Sequence, residues 1–287
     1  MAKNIDSAYI DTFEANVRHI AQQKTAKLIG TVQNKSESSE HHNWETLGVL
    51  EAATKTGRTN TPDQDSLWGR RVSLAQTYHI GTSTELEDPV QMLVDPNSNL
   101  TRSIAMGMNR QKDKVIIAAA TAAALKGDGT TEAFPTGQKI GDGTGVISFD
   151  MITEVQEKFM KNDIDPDVHK VMVVGPTQVR KLMQLTEQTS SDYVSAQRLL
   201  SYGIVPNWLG FTWINSTLLT APAGGQLSCL AYTMDAIGCN TNLDISAKVA
   251  QDPSISFAWR IYSHMTLGAV RVEDEQIVHM HVKDAIA

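Results

Sequence analysis

Apolar residues recur at helical spacing in several stretches of the chain and alternate in others. Ile10, Phe13, Val17, Ile20 and Ala21 fall three and four apart, which predicts an amphipathic helix over residues 7–28. Asp6, Asp11 and Glu14 lie toward its start and Arg18, Lys24 and Lys27 toward its end, as the helix dipole favours, and Gly30 supplies a stop. A second long helix is predicted from about Ser98 to Leu125. Its alanine-rich end, Val115 to Leu125, suits close packing against neighbours. It carries Arg102, Arg110, Lys112, Lys114 and Lys126 against Asp113 alone, a local basic bias. Shorter helices are expected after a Ser148 cap, with Ile152, Val155 and Phe159 on one face, after Gly175-Pro176 through Val179, Leu182 and Met183, and over Tyr193 to Tyr202.

Strand signals lie between and after these helices. Val72, Leu74, Tyr78 and Ile80 occupy even positions, which predicts one half-buried strand whose partner lies near Trp44 to Thr54. Further strands are expected at Val168 to Val174, Phe211 to Leu218 and Leu227 to Thr233, with a strand-rich tail from Ile255 to Val282. Regular βαβ alternation is missing, so the expected class is α+β. Residues 31–68 are polar and promise no core of their own. A ribbon over about residues 31–88 exceeds ordinary loop lengths, and an isolated hairpin is marginal in water, so something outside the chain is expected to hold it. Six glycines and one proline between Gly127 and Gly145 predict a mobile surface loop.

Charge narrows the function. With 25 Lys+Arg against 32 Asp+Glu the net charge is −7, which removes the general attraction to phosphate on which free nucleic-acid binders rely. The start of the chain lacks the basic and apolar segments of a signal peptide. Cys229 and Cys239 are therefore expected to be reduced, small and apolar. The charge-free run from Leu199 to Met234 is interrupted by glycine, proline and asparagine, so it is expected to be buried or at an interface, and no membrane partner is expected.

Chemistry is sparse. His279 and His281 sit two apart in a predicted strand with Glu273, Asp274 and Glu275 nearby, but two imidazoles at this spacing are also an ordinary polar strand face. His41 and His42 fall in the polar ribbon. The glycine segment follows a helix and lacks both phosphate-loop frames. Neither a Gly-x-Ser-x-Gly elbow nor a cysteine motif occurs. No catalytic, cofactor-binding or metal residues are assigned, and no cofactor is expected.

The strings Phe13-Glu-Ala-Asn-Val-Arg-His-Ile-Ala-Gln-Gln23, Asn43-Trp-Glu-Thr-Leu-Gly48, Lys55-Thr-Gly-Arg58, Arg70-Arg-Val72 and Met92-Leu-Val-Asp-Pro96 occur in that order. Ile116-Ile-Ala-Ala-Ala-Thr121, Ala133-Phe-Pro-Thr-Gly-Gln-Lys-Ile140, Ser190-Ser-Asp-Tyr-Val194 and Leu209-Gly-Phe-Thr-Trp-Ile214 follow. Together they resemble the major capsid proteins of tailed bacteriophages with the Hong Kong 97-type fold. The resemblance implies an N-terminal arm (1–30), an extended β-hairpin or E-loop (31–95), a peripheral domain with a spine helix (96–145), an axial domain (146–250) and return strands (251–287). It also implies self-association into pentameric and hexameric capsomers around double-stranded DNA, with only weak contact to that DNA. Assembly would take place in the bacterial host cytoplasm. Because the first helix begins so close to Met1, a separate scaffolding protein is expected. A portal and decoration proteins are further implied partners. Some members of the family weld subunits through a Lys–Asn bond, for which Lys35 and Lys55 are candidates by location only. Two alternatives stand beside this reading: an encapsulin-like compartment shell, and a soluble α+β enzyme using His264, His279 and His281. On the capsid reading the acidic residues should dominate the interior, and the basic run from Arg102 to Lys126 should meet protein.

Overall fold

The computed structural model describes residues 22–55, 57, 65, 67–84, 96–184 and 207–285, the side chains of 96–99 excepted. The part of the helix expected over 7–28 that precedes residue 22, and the helix expected over Tyr193 to Tyr202, lie outside these residues. The chain divides into two compact units. One comprises Ala26–Thr77, Gln111–Leu243 and Thr266–Ala287, the other Met1–Thr25, Tyr78–Arg110 and Asp244–Met265.

The first unit is organised by a six-stranded sheet. Its strands are β7 (Lys139–Ile140), β8 (Lys170–Val174), β9 (Asn207–Trp208), β10 (Phe211–Asn215), β11 (Gln226–Thr233) and β14 (Ile277–Lys283), in the order β7-β14-β11-β8-β10-β9. Lys-Val-Met-Val-Val at β8 is buried throughout, as an interior strand demands, with β10 parallel on one side and β11 antiparallel on the other. Lys170 keeps its ammonium satisfied by donating to the Asp165 carbonyl (3.0 Å). The turn between β9 and β10 places Leu209 and Gly210 at φ of 53° and 76°, the two positive values that a tight type I′ hairpin requires. Trp208, Phe211 and Trp213 are buried together there, with the Trp213 indole donating to the Trp208 carbonyl (3.1 Å).

Two helices of this unit form as the sequence predicts. Ser148 Oγ accepts from Met151 N–H (3.3 Å) and opens a helix over Phe149–Lys161 whose Ile152, Val155 and Phe159 are buried. Pro176 occupies the first turn of the helix Pro176–Leu182.

Other expectations need correction. The long helix, α1, spans Pro96–Thr121 and stops short of Leu125. Ala124–Leu125 (β5) instead pairs with Thr131–Glu132 (β6), and the Ala122 carbonyl is taken by the Arg271 guanidinium (2.8 Å). The glycine-rich segment is tied down, not a free loop. Asp128 and Asp142 each accept from the backbone N–H two residues on (2.9 and 3.0 Å), and Gly143 N–H donates to the His281 carbonyl (3.3 Å). Residues 22–28 are not helical. The backbone N–H groups of Lys27 and Leu28 donate to the Asp113 carboxylate (3.0–3.1 Å), so a tertiary acceptor has displaced the helical ones. Asp113 itself is buried in α1 instead of exposed among the lysines.

A second sheet has four strands. Gln33–Lys35 (β1) lies parallel to the start of Ile237–Asp252 (β12), a strand with no counterpart among the sequence expectations. Ala258–Arg271 (β13) and Gln76–Thr84 (β4) complete it. Strand structure does not begin at Ile255. Pro253–Ile255 form a single 3-10 turn, and Ser256 and Phe257 both adopt positive φ before β13 starts. In the second unit, His79 and Tyr262 stack across β4 and β13 with centroids 6.0 Å apart.

Replacing Asp113 by alanine should strand two buried or half-buried backbone donors and cost about 3 kcal/mol. Urea unfolding measures the loss, and hydrogen exchange at Ala26–Val32 should rise with it.

Candidate assembly site

The polar ribbon builds a two-stranded sheet in which His41–Leu47 (β2) pairs antiparallel with Trp68–Leu74 (β3), from His41 opposite Leu74 to Leu47 opposite Trp68. Alternation gives the hairpin two faces. His42, Trp44, Gly69, Arg71 and Ser73 share one, and Leu47, Trp68, Val72 and Leu74 the other. The expected single strand through Val72, Leu74, Tyr78 and Ile80 is therefore two strands. The chain changes sheets at Ala75, whose N–H donates to the Glu40 carbonyl (3.0 Å).

Contrary to the expectation for residues 31–68, the inner face has a core contribution. Trp44 is buried with Ala124, Val270 and Val272. Its indole N–H donates to Ser73 Oγ (3.2 Å), which donates in turn to Asn240 Oδ1 (2.7 Å). The ring lies so close over Gly238 that a Cβ there would overlap it. Directly across the ladder from Trp44, Arg71 bridges Glu132 (2.6 Å) and Asp274 (3.1 Å). Lys126 shares Glu132 (3.1 Å), and Arg271 donates to Asp274. The Lys126 ammonium, with Arg71 beside it, holds the Glu132 carboxyl below the usual carboxylate range.

Toward its tip the hairpin leaves this support. Gly48 N–H still donates to the Leu67 carbonyl (2.8 Å), but Leu47, Val49, Leu50, Leu67 and Trp68 are exposed, Val49 to 92% and Trp68 to 69%. Five large apolar side chains at one end of a hairpin form a surface that water solvates poorly. A groove beside the hairpin is lined by Thr46, Gly69, Lys126 and Asp128.

The histidines considered from the sequence sit in different surroundings. His279 is buried, stacked on Phe134 at 3.6 Å, and its Nε2 lies 3.1 Å from the Ala120 carbonyl. Burial first, then the nearby His281, Arg271 and Lys139, push its pKa down to about 3. Burial also lowers His281. Asp274 is held by two arginines, and the Glu273 carboxylate accepts from Gln276. His264 belongs to the other unit, stacked on Tyr262 at 5.4 Å. His42 sits 2.7 Å from Glu37, and His41 points toward Glu40 at 4.0 Å. Among the described residues no group of three His, Cys, Asp or Glu is placed to hold a metal ion. Cys229 and Cys239 are free and buried, and burial pushes their thiols up to about 12 and about 11. Lys35 and Lys55 are exposed. No described helix is long and apolar enough to cross a membrane.

Residues 5–284 match the family described as Phage capsid protein, and the chain belongs to that family. No curated protein matches the sequence. The fold is that of solved phage capsids. The capsid of the cyanophage P-SCSP1u superposes with a TM-score of 0.75 at 13% identity, covering 98% of this chain and 95% of that one. Mycobacterium phage Che8 gives 0.69 at 18% identity, covering 95% and 97%. The capsid of a native GTA particle gives 0.71 at 11% identity, covering 96% of each chain. The α+β class and the Hong Kong 97-type capsid fold expected from the sequence are thus the ones observed, and the protein is a structural, major capsid protein of tailed-phage heads.

Neutral, buried His279 makes stability sensitive to acid. Its folded pKa lies below the unfolded value of 6.5, so stability is full above pH 6.5 and falls as pH drops toward about 3, by up to about 1.4 kcal/mol per pH unit. Urea unfolding at pH 7, 5 and 4 should show the decline, and His279→Gln should flatten it.

Proposed function

We propose that this chain builds the shell by laying the apolar end of its β2–β3 hairpin on a neighbouring copy, within pentameric and hexameric capsomers. The observation that carries the reading is the exposed cluster of Leu47, Val49, Leu50, Leu67 and Trp68 on a hairpin whose base is firmly packed. A soluble subunit gains nothing from such a surface unless another protein covers it. A standard contact takes about 800 Å² from each partner, and many such contacts add into a stable shell through multivalency.

On this reading residues 1–30 form the arm, 31–95 the E-loop hairpin, 96–145 the peripheral domain with α1 as its spine, 146–250 the axial domain, and 251–287 the return strands. The chain acts without catalysis and needs no cofactor. Its shell is assembled in the bacterial host cytoplasm with a separate scaffolding protein, and a portal and decoration proteins complete it. Packaged double-stranded DNA meets an acidic inner face weakly, which the net charge of −7 supports. The exposed Arg102 and Lys114 are available to protein neighbours.

Sedimentation velocity of the Leu67→Ser/Trp68→Ser variant tests the contact. Both side chains are already exposed, so the fold should survive while the assembled fraction falls at least tenfold. Assembly equal to that of the unaltered chain would refute the hairpin contact.

A further inference from the structure

We infer that Trp44 and Arg71 are positioning residues that aim the β2–β3 hairpin, so that the angle at which copies join is set inside each subunit before they meet. This rests on the proposed hairpin contact and adds to it a fulcrum. Trp44 and Arg71 face each other on one rung of the ladder, one on each strand. Each is anchored by different chemistry to the unit from which the hairpin projects.

Trp44 is the apolar anchor. Its ring covers Gly238 at the start of β12, where any side chain would displace it, and the Ser73 hydroxyl locks its indole N–H to Asn240 on the same strand. Arg71 is the charged anchor. It is held between Glu132 on β6 and Asp274 just after β13, so one planar guanidinium ties the hairpin to two separate segments. One rung further out, Gly127 N–H donates to the Arg70 carbonyl (3.0 Å). From there to the exposed Leu47 and Trp68 the hairpin projects beside the groove lined by Thr46, Lys126 and Asp128. Three residues of strand between Trp44 and Leu47 span about 10 Å. A small rotation at the rung therefore moves the apolar end by several times as much as the anchors.

Arg71 can be neutralised without exposing a bare carboxylate, because Glu132 keeps Lys126 and Asp274 keeps Arg271. Arg71→Gln and Gly238→Ala therefore release the two anchors separately, and Arg260→Gln, which breaks an exposed pair with Asp252, serves as the control. Circular dichroism establishes that each variant is folded. Spin labels at Lys55→Cys and Glu154→Cys, both exposed and both in the same unit, report the hairpin angle by pulsed electron resonance in unassembled subunits. The distance distribution should be narrow in the parent and in Arg260→Gln, and at least twice as wide in Arg71→Gln and Gly238→Ala. Shell diameters in negative stain should spread from one size into several for the same two variants. Distributions as narrow as the parent's would overturn the inference, as would uniform shells built from subunits with a loosened hairpin, because the neighbour would then be setting the angle. Failure of the underlying contact is read separately, from normal assembly of the Leu67→Ser/Trp68→Ser variant, and the spin-label widths do not depend on it.

Discussion

A guanidinium with no access to solvent governs how the first unit is put together. Arg271, fully buried near the end of β13, donates to Asp274, to the Ala122 carbonyl (2.8 Å) and to the Glu132 carbonyl (3.1 Å), and it lies 5.0 Å from the centre of the Phe134 ring. A charge taken this far from water is tolerated only when its donors are matched, so each partner is constrained in turn. The helix α1 must open at its C-terminal end to release the Ala122 carbonyl. The β5–β6 turn must fold back to bring Glu132 alongside. Asp274, oriented by Arg271, then presents its other oxygen to Arg71 of the hairpin (3.1 Å). The hairpin is thus seated on a charge that the core has already fixed.

Much of this architecture is legible in the sequence where local chemistry decides it. The Ser148 cap with Ile152, Val155 and Phe159, the proline that opens Pro176–Leu182, and the continuous apolar run of β8 all follow from residue type and spacing. The failures share a cause. Residues 22–28 fall within the expected first helix, but Lys27 and Leu28 give their backbone N–H groups to Asp113. The alanine run past Thr121 favours helix but loses Ala122 to Arg271. In each case a distant side chain outcompetes a local preference worth a few tenths of a kcal/mol per residue. The strand β12 was hidden for another reason. Over Leu243–Gln251 it is mostly exposed and mixed in polarity, so it lacks an alternating pattern.

The assembly site was half legible. The polar ribbon was expected to be held from outside the chain, whereas its base is held by the chain's own core. Trp44 stood only at the start of the expected partner strand and inside one of the strings that carried the family resemblance. Its significance depends on Gly238, almost two hundred positions away, and no local pattern connects them. Arg71 stood inside one of the strings that carried the family resemblance, yet its two carboxylates come from separate segments. The division of labour between its anchored base and apolar end is physically sensible. A hairpin already ordered in the free subunit loses less conformational freedom when it docks, so a modest exposed surface can still drive association. The acidic balance of the chain, a net charge of −7, adds a mutual repulsion that keeps unassembled copies apart.

The central claim is that this chain closes into shells through contacts between its own copies. Negative-stain microscopy of the purified protein across a range of concentrations tests it most directly. Closed shells, or pentameric and hexameric rings that become more abundant with concentration, are the predicted result. A protein that stays monomeric at every concentration would contradict the account.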